Sequence, residues 1–69
     1  MEFEIRLLMD EEETLKVKVK YGTTIRSVLI IHGLNYLNPY NQYGRPIPDD
    51  TPLRGPAVFK LLEPPVSVT

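Results

Sequence analysis

The sequence predicts an α+β fold, a mixed four- to five-stranded sheet with one helix packed across it. Residues 2–9 and 14–20 alternate apolar and polar side chains, the period-two mark of half-buried strands. Residues 23–34 switch to the spacing of an amphipathic helix. Residues 57–62, "AVFKLL", return to a strand after a long stretch rich in proline and turn residues.

In "EFEIRLLM", Phe3, Ile5, Leu7 and Met9 fall on one face, with Glu2, Glu4, Arg6 and Leu8 on the other. In "TLKVKVK", Leu15, Val17 and Val19 oppose Lys16, Lys18 and Lys20. The polar run Asp10 to Glu13 reads as the turn of a hairpin joining them. Pairing odd residues with odd residues keeps both apolar sets on the core side. Two registers satisfy that parity. In either one, Glu2 or Glu4 can sit across from Lys18 or Lys20 and gain from opposite charge.

Thr23 or Thr24 can cap the helix by accepting from an exposed backbone N–H. Ile25, Val28, Leu29 and His32 then follow the i, i+3, i+4, i+7 spacing of one face. His32 reads as a boundary residue of the core, with Ile30 opposite that face and Ile31 near its border. Gly33 suits the left-handed residue that closes a helix, and Leu34 can fold back beneath it. A helix this short depends on packing against the sheet. Beyond it, a short strand is expected within Leu37 to Tyr43. "RPIP" reads as an edge or loop, because Pro46 and Pro48 cannot donate to a ladder. "TPLRGP" is a further turn with room for one helical turn. In the last strand Phe59 and Leu61 share a face, Lys60 points away, and Pro64-Pro65 stops the pairing. The first and last strands are the most apolar, so they are natural neighbours. A hairpin, a helix and returning strands describe a β-grasp (ubiquitin-like) sheet.

At 69 residues the chain makes one domain with a small core. We expect the domain over residues 1–65 and a flexible tail over 66–69. A deep enzymatic pocket is not expected at this size. The net charge of −1 argues against general nucleic-acid or membrane-surface binding, which needs a basic excess. The chain has no cysteine, which removes thiol nucleophiles and thiolate metal sites. The run Asp10 to Glu13 lacks the Asp/Asn and Gly alternation of a calcium loop and reads as a solvated turn. No nucleophile–base pair, metal-ligand spacing or phosphate loop is present. The opening residues lack the basic and long apolar segments of a signal peptide, and a cytoplasmic protein without cofactor or metal is expected.

Residues 44–67, "GRPIPDDTPLRGPAVFKLLEPPVS", carry a family resemblance. They resemble the C-terminal half of the ThiS/MoaD-like β-grasp sulfur carriers of thiamine and molybdopterin synthesis. The matching pieces are "YGRPIP", "DTPL" at Asp50 to Leu53, "VFKLL" at Val58 to Leu62 and "PPVS" at Pro64 to Ser67. The helix "TIRSVLIIHGL" also resembles that of the family. The most specific part is the spacing from "DTPL" to "PPVS". The resemblance implies a β-grasp fold and a protein partner, either an adenylating enzyme of the ubiquitin-activating kind or a synthase subunit.

Three positions depart from the family pattern. The carriers end in Gly-Gly, whose carboxylate is adenylated and converted to a thiocarboxylate. Here Val68 and Thr69 stand in that place. Glycine fits a narrow activating channel because it has no Cβ and free φ/ψ; valine and threonine are β-branched and stiff. The family's acidic turn before the last strand is Arg54-Gly55-Pro56. Charged helix positions of the family are Ile30 and Ile31, and His32 replaces an apolar residue.

The expected function is therefore protein–protein interaction without carrier chemistry, including self-association as one form. A sulfur carrier activated at an atypical C-terminus is the alternative. Candidate partner-binding residues are Ile30, Ile31, Tyr36, Tyr40 and Tyr43. Outward isoleucines have no reason in a monomer's core; tyrosines recur at interface hot spots and equally pack on a small sheet as scaffold. The tail, Pro64, Pro65, Val66, Ser67, Val68 and Thr69, occupies the carrier-like position. It reads as a chain end after a proline stop, or as a segment that pairs with a partner strand. Lys16, Lys18 and Lys20 read as the wet face of a strand with carboxylates opposite. No catalytic residue is assigned.

Overall fold

A computed structural model describes residues 1–10 and 12–64. The tail positions from Pro65 to Thr69 lie outside the described residues. The elements run β1 (Glu2–Leu8), β2 (Thr14–Lys20), α1 (Ile25–Ile31), β3 (Asn38–Tyr40) and β4 (Ala57–Leu62). The strands form one mixed sheet in the order β2-β1-β4-β3. The four- to five-stranded expectation resolves to four among the described residues.

The hairpin takes one of the two expected registers, with Phe3 across from Val19, Ile5 from Val17 and Leu7 from Leu15. Glu2 faces Lys20 and Glu4 faces Lys18. Arg6 faces Lys16, so the third lysine has a cation and not a carboxylate opposite. The single ion pair among the described residues runs along the strand, Arg6 Nε to Glu4 Oε1 at 3.9 Å. Both side chains are about half exposed, so it adds little to stability.

β4 returns alongside β1 in parallel, with Leu7 across from Phe59. β3 pairs antiparallel with the other side of β4, Pro39 across from Leu61. Every odd position of β1, β2 and β4 therefore points to one side. There Ile5, Leu7, Val17, Val19, Phe59 and Leu61 are buried with Ile25, Val28, Leu29, Leu37 and Leu53. Pro39 is also buried on this side. As an edge residue it interrupts no central ladder.

α1 has only seven residues and is held at both ends. Thr24 is the N-cap; its Oγ1 accepts from the Ser27 amide at 3.3 Å. The two preceding amides are met from the irregular stretch. Ile25 N–H donates to the Thr51 carbonyl at 3.1 Å, and Arg26 N–H to the Asp49 carbonyl at 3.0 Å. At the other end Gly33 adopts φ +69, a conformation that disfavours any side chain. Gly33 N–H reaches the Ile30 carbonyl and Leu34 N–H the Leu29 carbonyl, the paired closure of a Schellman motif. Leu34 packs against the core.

His32 corrects the expectation for the helix. It is the C-cap, at φ −94 and ψ 6, and is exposed. The i+7 position leaves the wheel because the helix stops one residue earlier. The "TPLRGP" stretch holds no helical turn. It is pinned instead to the β2–α1 connection, where Leu53 N–H donates to the Thr23 carbonyl and Gly22 N–H to the Leu53 carbonyl, both at 2.8 Å.

The core assignment makes a stability prediction. Leu61 is 1% exposed, so Leu61→Ala should lower the unfolding free energy by about 2–5 kcal/mol. Thr24→Ala should cost about 1 kcal/mol through the lost cap. Urea unfolding followed by circular dichroism measures both. Equal effects would mean that Leu61 is not a central core residue.

Candidate functional site

Strands are two-sided, so even positions that do not face the core form an open face. From β2 across to β3, the register places Thr14, Leu8, Lys60 and Tyr40 in one row. Leu62 and Asn38 form the next row beyond it. The apolar members gather at the end where β4 leaves the sheet. Leu62 is 50% exposed, and Leu8 and Tyr40 are half-buried.

Two shallow depressions meet at this end. One is lined by Leu8, Met9, Asp10, Thr14, Lys60 and Leu62. The other runs over the border of the sheet and includes Met9, Glu13, Tyr36, Leu61, Leu62 and Glu63. They share Met9, Asp10 and Leu62, so the apolar depression of the open face runs into a mixed polar and apolar border that reaches Tyr36. Its rim is mixed in charge, with Lys60 on the open face and Asp10, Glu13 and Glu63 around the border. An apolar centre with a charged rim is the anatomy of a protein-docking surface. The chain passes Glu63 and Pro64 immediately beside it.

The expected contact residues do not form one surface. Tyr36 and Tyr40 belong to the tail end of the sheet. Ile30 and Ile31 lie on α1, which packs across the opposite, core side. Ile30 is 52% exposed and Ile31 76% exposed. Ile31 is thus the more outward of the two, because it stands in the last turn, where no further helix shields it. Ile30 also borders a polar depression with Arg26, Asn35, Asn38 and Asp49. Tyr43 stands apart, 80% exposed, on a turn built around Asn41. The Asn41 Oδ1 accepts from the Tyr43 amide at 2.8 Å and from the Arg45 amide at 3.0 Å. That turn explains the exposure of Tyr43 without any partner. Among the described residues, no group of three or more His, Asp or Glu side chains could hold a metal ion.

Leu8, Met9 and Leu62 are members of the patch that the sequence expectations leave out. The signal for Leu8 and Leu62 is two consecutive leucines in each of two strands, Leu7-Leu8 and Leu61-Leu62; Met9, at an odd position, also packs against the core. In a period-two element one of each pair must face away from the core.

No protein-family model matches the sequence, and no curated protein is similar enough to count as a match. Among solved structures, the chain is similar to the ubiquitin of Caldiarchaeum subterraneum. The two superpose with a TM-score of 0.70 at 14% identity, over 99% of this chain and 100% of that one. The chain has the ubiquitin-like β-grasp fold. At that identity the likeness concerns the fold alone. No helix among the described residues is long and apolar enough to cross a membrane.

The patch makes its own prediction, set by the neighbours Leu61 and Leu62. Leu61→Glu places a charge in the core and should abolish folding. Leu62→Glu changes the open face and should leave the thermal midpoint within a few degrees of the parent, consistent with about 0.5 kcal/mol for a surface substitution. Thermal melts of the two variants side by side check the assignment of faces.

Proposed function

We propose that this is a non-enzymatic, ThiS/MoaD-like β-grasp protein that docks a protein partner on the tail end of its open sheet face. One observation carries the reading. An apolar depression through Leu8, Met9 and Leu62, continued by a mixed border to Tyr36, lies beside the exit of the chain from β4. Exposed apolar residues that cluster, unlike scattered ones, are unfavourable in water and favour a covering partner. Lys60 and the acidic hairpin turn supply the polar rim that fixes orientation. The partner is an adenylating enzyme or a synthase subunit, as the resemblance through "DTPL" and "PPVS" implies. Ile30 and Ile31 form a second, smaller contact on the helix side.

A carrier activated at its atypical end is the second reading, and the intact "PPVS" lead-in favours it. Against it stand Val68 and Thr69, whose β-branched side chains widen the segment that must thread an activating channel. Intact mass after incubation with a cognate adenylating enzyme, ATP and a sulfur donor separates the two readings. A sulfur-for-oxygen exchange at the C-terminal carboxyl establishes the carrier. An unchanged mass, with binding retained, supports the docking protein.

Binding to a cognate adenylating enzyme or synthase subunit tests the docking face. Leu62→Glu should weaken the complex at least tenfold, since a hot-spot residue contributes about 2 kcal/mol or more. Tyr43→Ala should leave affinity unchanged. Full affinity in Leu62→Glu excludes this face. Loss only in the Ile30→Glu, Ile31→Glu double variant assigns the contact to the helix instead.

A further inference from the structure

The two borders of the sheet differ. β3 has three residues, and the returning chain covers its outer side. Tyr40 bridges Pro46, and Ile47 N–H donates to the Pro39 carbonyl at 3.0 Å. β2 has seven residues and pairs only with β1. Nothing among the described residues lies along its other side in the sheet.

The hydrogen-bond phase of the hairpin identifies which peptide groups this border presents. Tyr21 N–H donates to the Met1 carbonyl, and Met9 N–H to the Glu13 carbonyl, both at 3.0 Å. Both pairs are odd with odd and continue the register of the strands. Antiparallel pairs alternate between bonded and non-bonded, so the odd residues of β2 face β1 with their peptide groups. The even residues, Thr14, Lys16, Lys18 and Lys20, turn theirs outward. The Lys20 carbonyl is taken by the Thr23 amide. Lys16 and Lys18 keep an N–H and a C=O each at the border, with no backbone partner among the turn and loop bonds of the described residues. The strand contains no proline and no glycine to blunt it.

The same residues carry the charge. Lys16, Lys18 and Lys20 are exposed on the open face. In the register Glu4 lies across from Lys18 and Glu2 across from Lys20, with no Lys–Glu ion pair formed among the described residues. Lys16 faces Arg6 and lacks such a neighbour. A second copy of this strand would set lysines against lysines, which is the usual protection of an edge against self-pairing. An acidic strand meets no such repulsion.

We propose that the outer edge of β2 binds an extended acidic segment of a partner protein by strand addition. The segment lies antiparallel to β2. Its carboxylates stand across from Lys16 and Lys18 and exchange backbone hydrogen bonds with them, while the intervening apolar residues extend the core side beside Val17 and Val19. This edge adjoins the tail-end patch at Thr14 and does not depend on it.

The probe is a capped seven-residue peptide of alternating glutamate and valine, titrated into the full-length isotope-labelled chain. Amide shifts should be confined to residues 14–20, and exchange of the Lys16 and Lys18 amides should slow. A peptide N-methylated at its glutamates should bind about tenfold or more weakly, from the loss of two or more backbone bonds. Salt at about 0.5 M should weaken the parent peptide by screening. A lysine–valine peptide should not bind. Lys18→Pro should lose the peptide with the β1–β2 ladder intact, because the Lys18 N–H points away from β1. Lys16→Glu with Lys18→Glu should lose it without any backbone change. Absence of shifts at millimolar peptide, equal binding of the N-methylated peptide, or shifts centred on Leu62 would each overturn the proposal.

Discussion

Strands β1 and β4 lie parallel in the middle of the sheet, with Leu7 across from Phe59, and this pairing joins the two ends of the sequence. Parallel neighbours cannot be linked by a tight turn. Everything between them, β2, α1, β3 and the irregular stretch, is the connection that brings the chain back. Ile5 and Leu7 from one strand and Phe59 and Leu61 from the other are 8% exposed or less. They form the floor on which α1 rests. A chain of this size has a small core, so loss of either central strand removes the floor and not merely an edge. The tail exit and the hairpin turn also become neighbours for this reason, because the ends of β4 and β1 coincide.

The helix shows the same dependence at smaller scale. Seven residues are too few to be helical alone in water. Three burials, Ile25, Val28 and Leu29, and bonds at both ends compensate. The carbonyls of Asp49 and Thr51 meet the first amides, so the irregular stretch is a structural part of the helix terminus. Leu53, 3% exposed, anchors that stretch from below. Proline at positions 48 and 52 restricts the unfolded chain and lowers the entropy lost on ordering it.

The elements legible in the sequence were those set by local rules. Period two placed β1, β2 and β4, and Thr23 or Thr24 with Gly33 and Leu34 marked the helix ends through chemistry that acts within a turn. Where a position depended on where an element stops, the wheel misled. His32 fits the i+7 site of a helix that ends at Ile31, and Ile31 becomes the more exposed isoleucine for the same reason. Register was legible only to parity. That left open whether Lys16 meets a carboxylate, and the actual partner, Arg6, follows from which of two allowed pairings forms. The apolar patch was the least legible feature. Leu8, Tyr36 and Leu62 are far apart in sequence, and only the β1–β4–β3 order makes them adjacent. The separation of Tyr36 and Tyr40 from Ile30 and Ile31 likewise needs the third dimension, since helix and open face lie on opposite sides of one sheet.

The alternation that builds the core also frees the surface to change. Leu7 and Leu8, and again Leu61 and Leu62, are chemically identical neighbours with opposite duties. One of each pair is held by close packing, where a lost methylene costs stability. The other sits where substitutions are usually worth about 0.5 kcal/mol or less. A small domain with little stability to spare can therefore alter what it binds without altering how it folds, provided that the change falls on even positions of β1 and β4. The same parity governs β2, where the even residues carry both the lysines and the outward peptide groups. On this sheet, parity relative to the core divides residues that specify the fold from residues available for recognition.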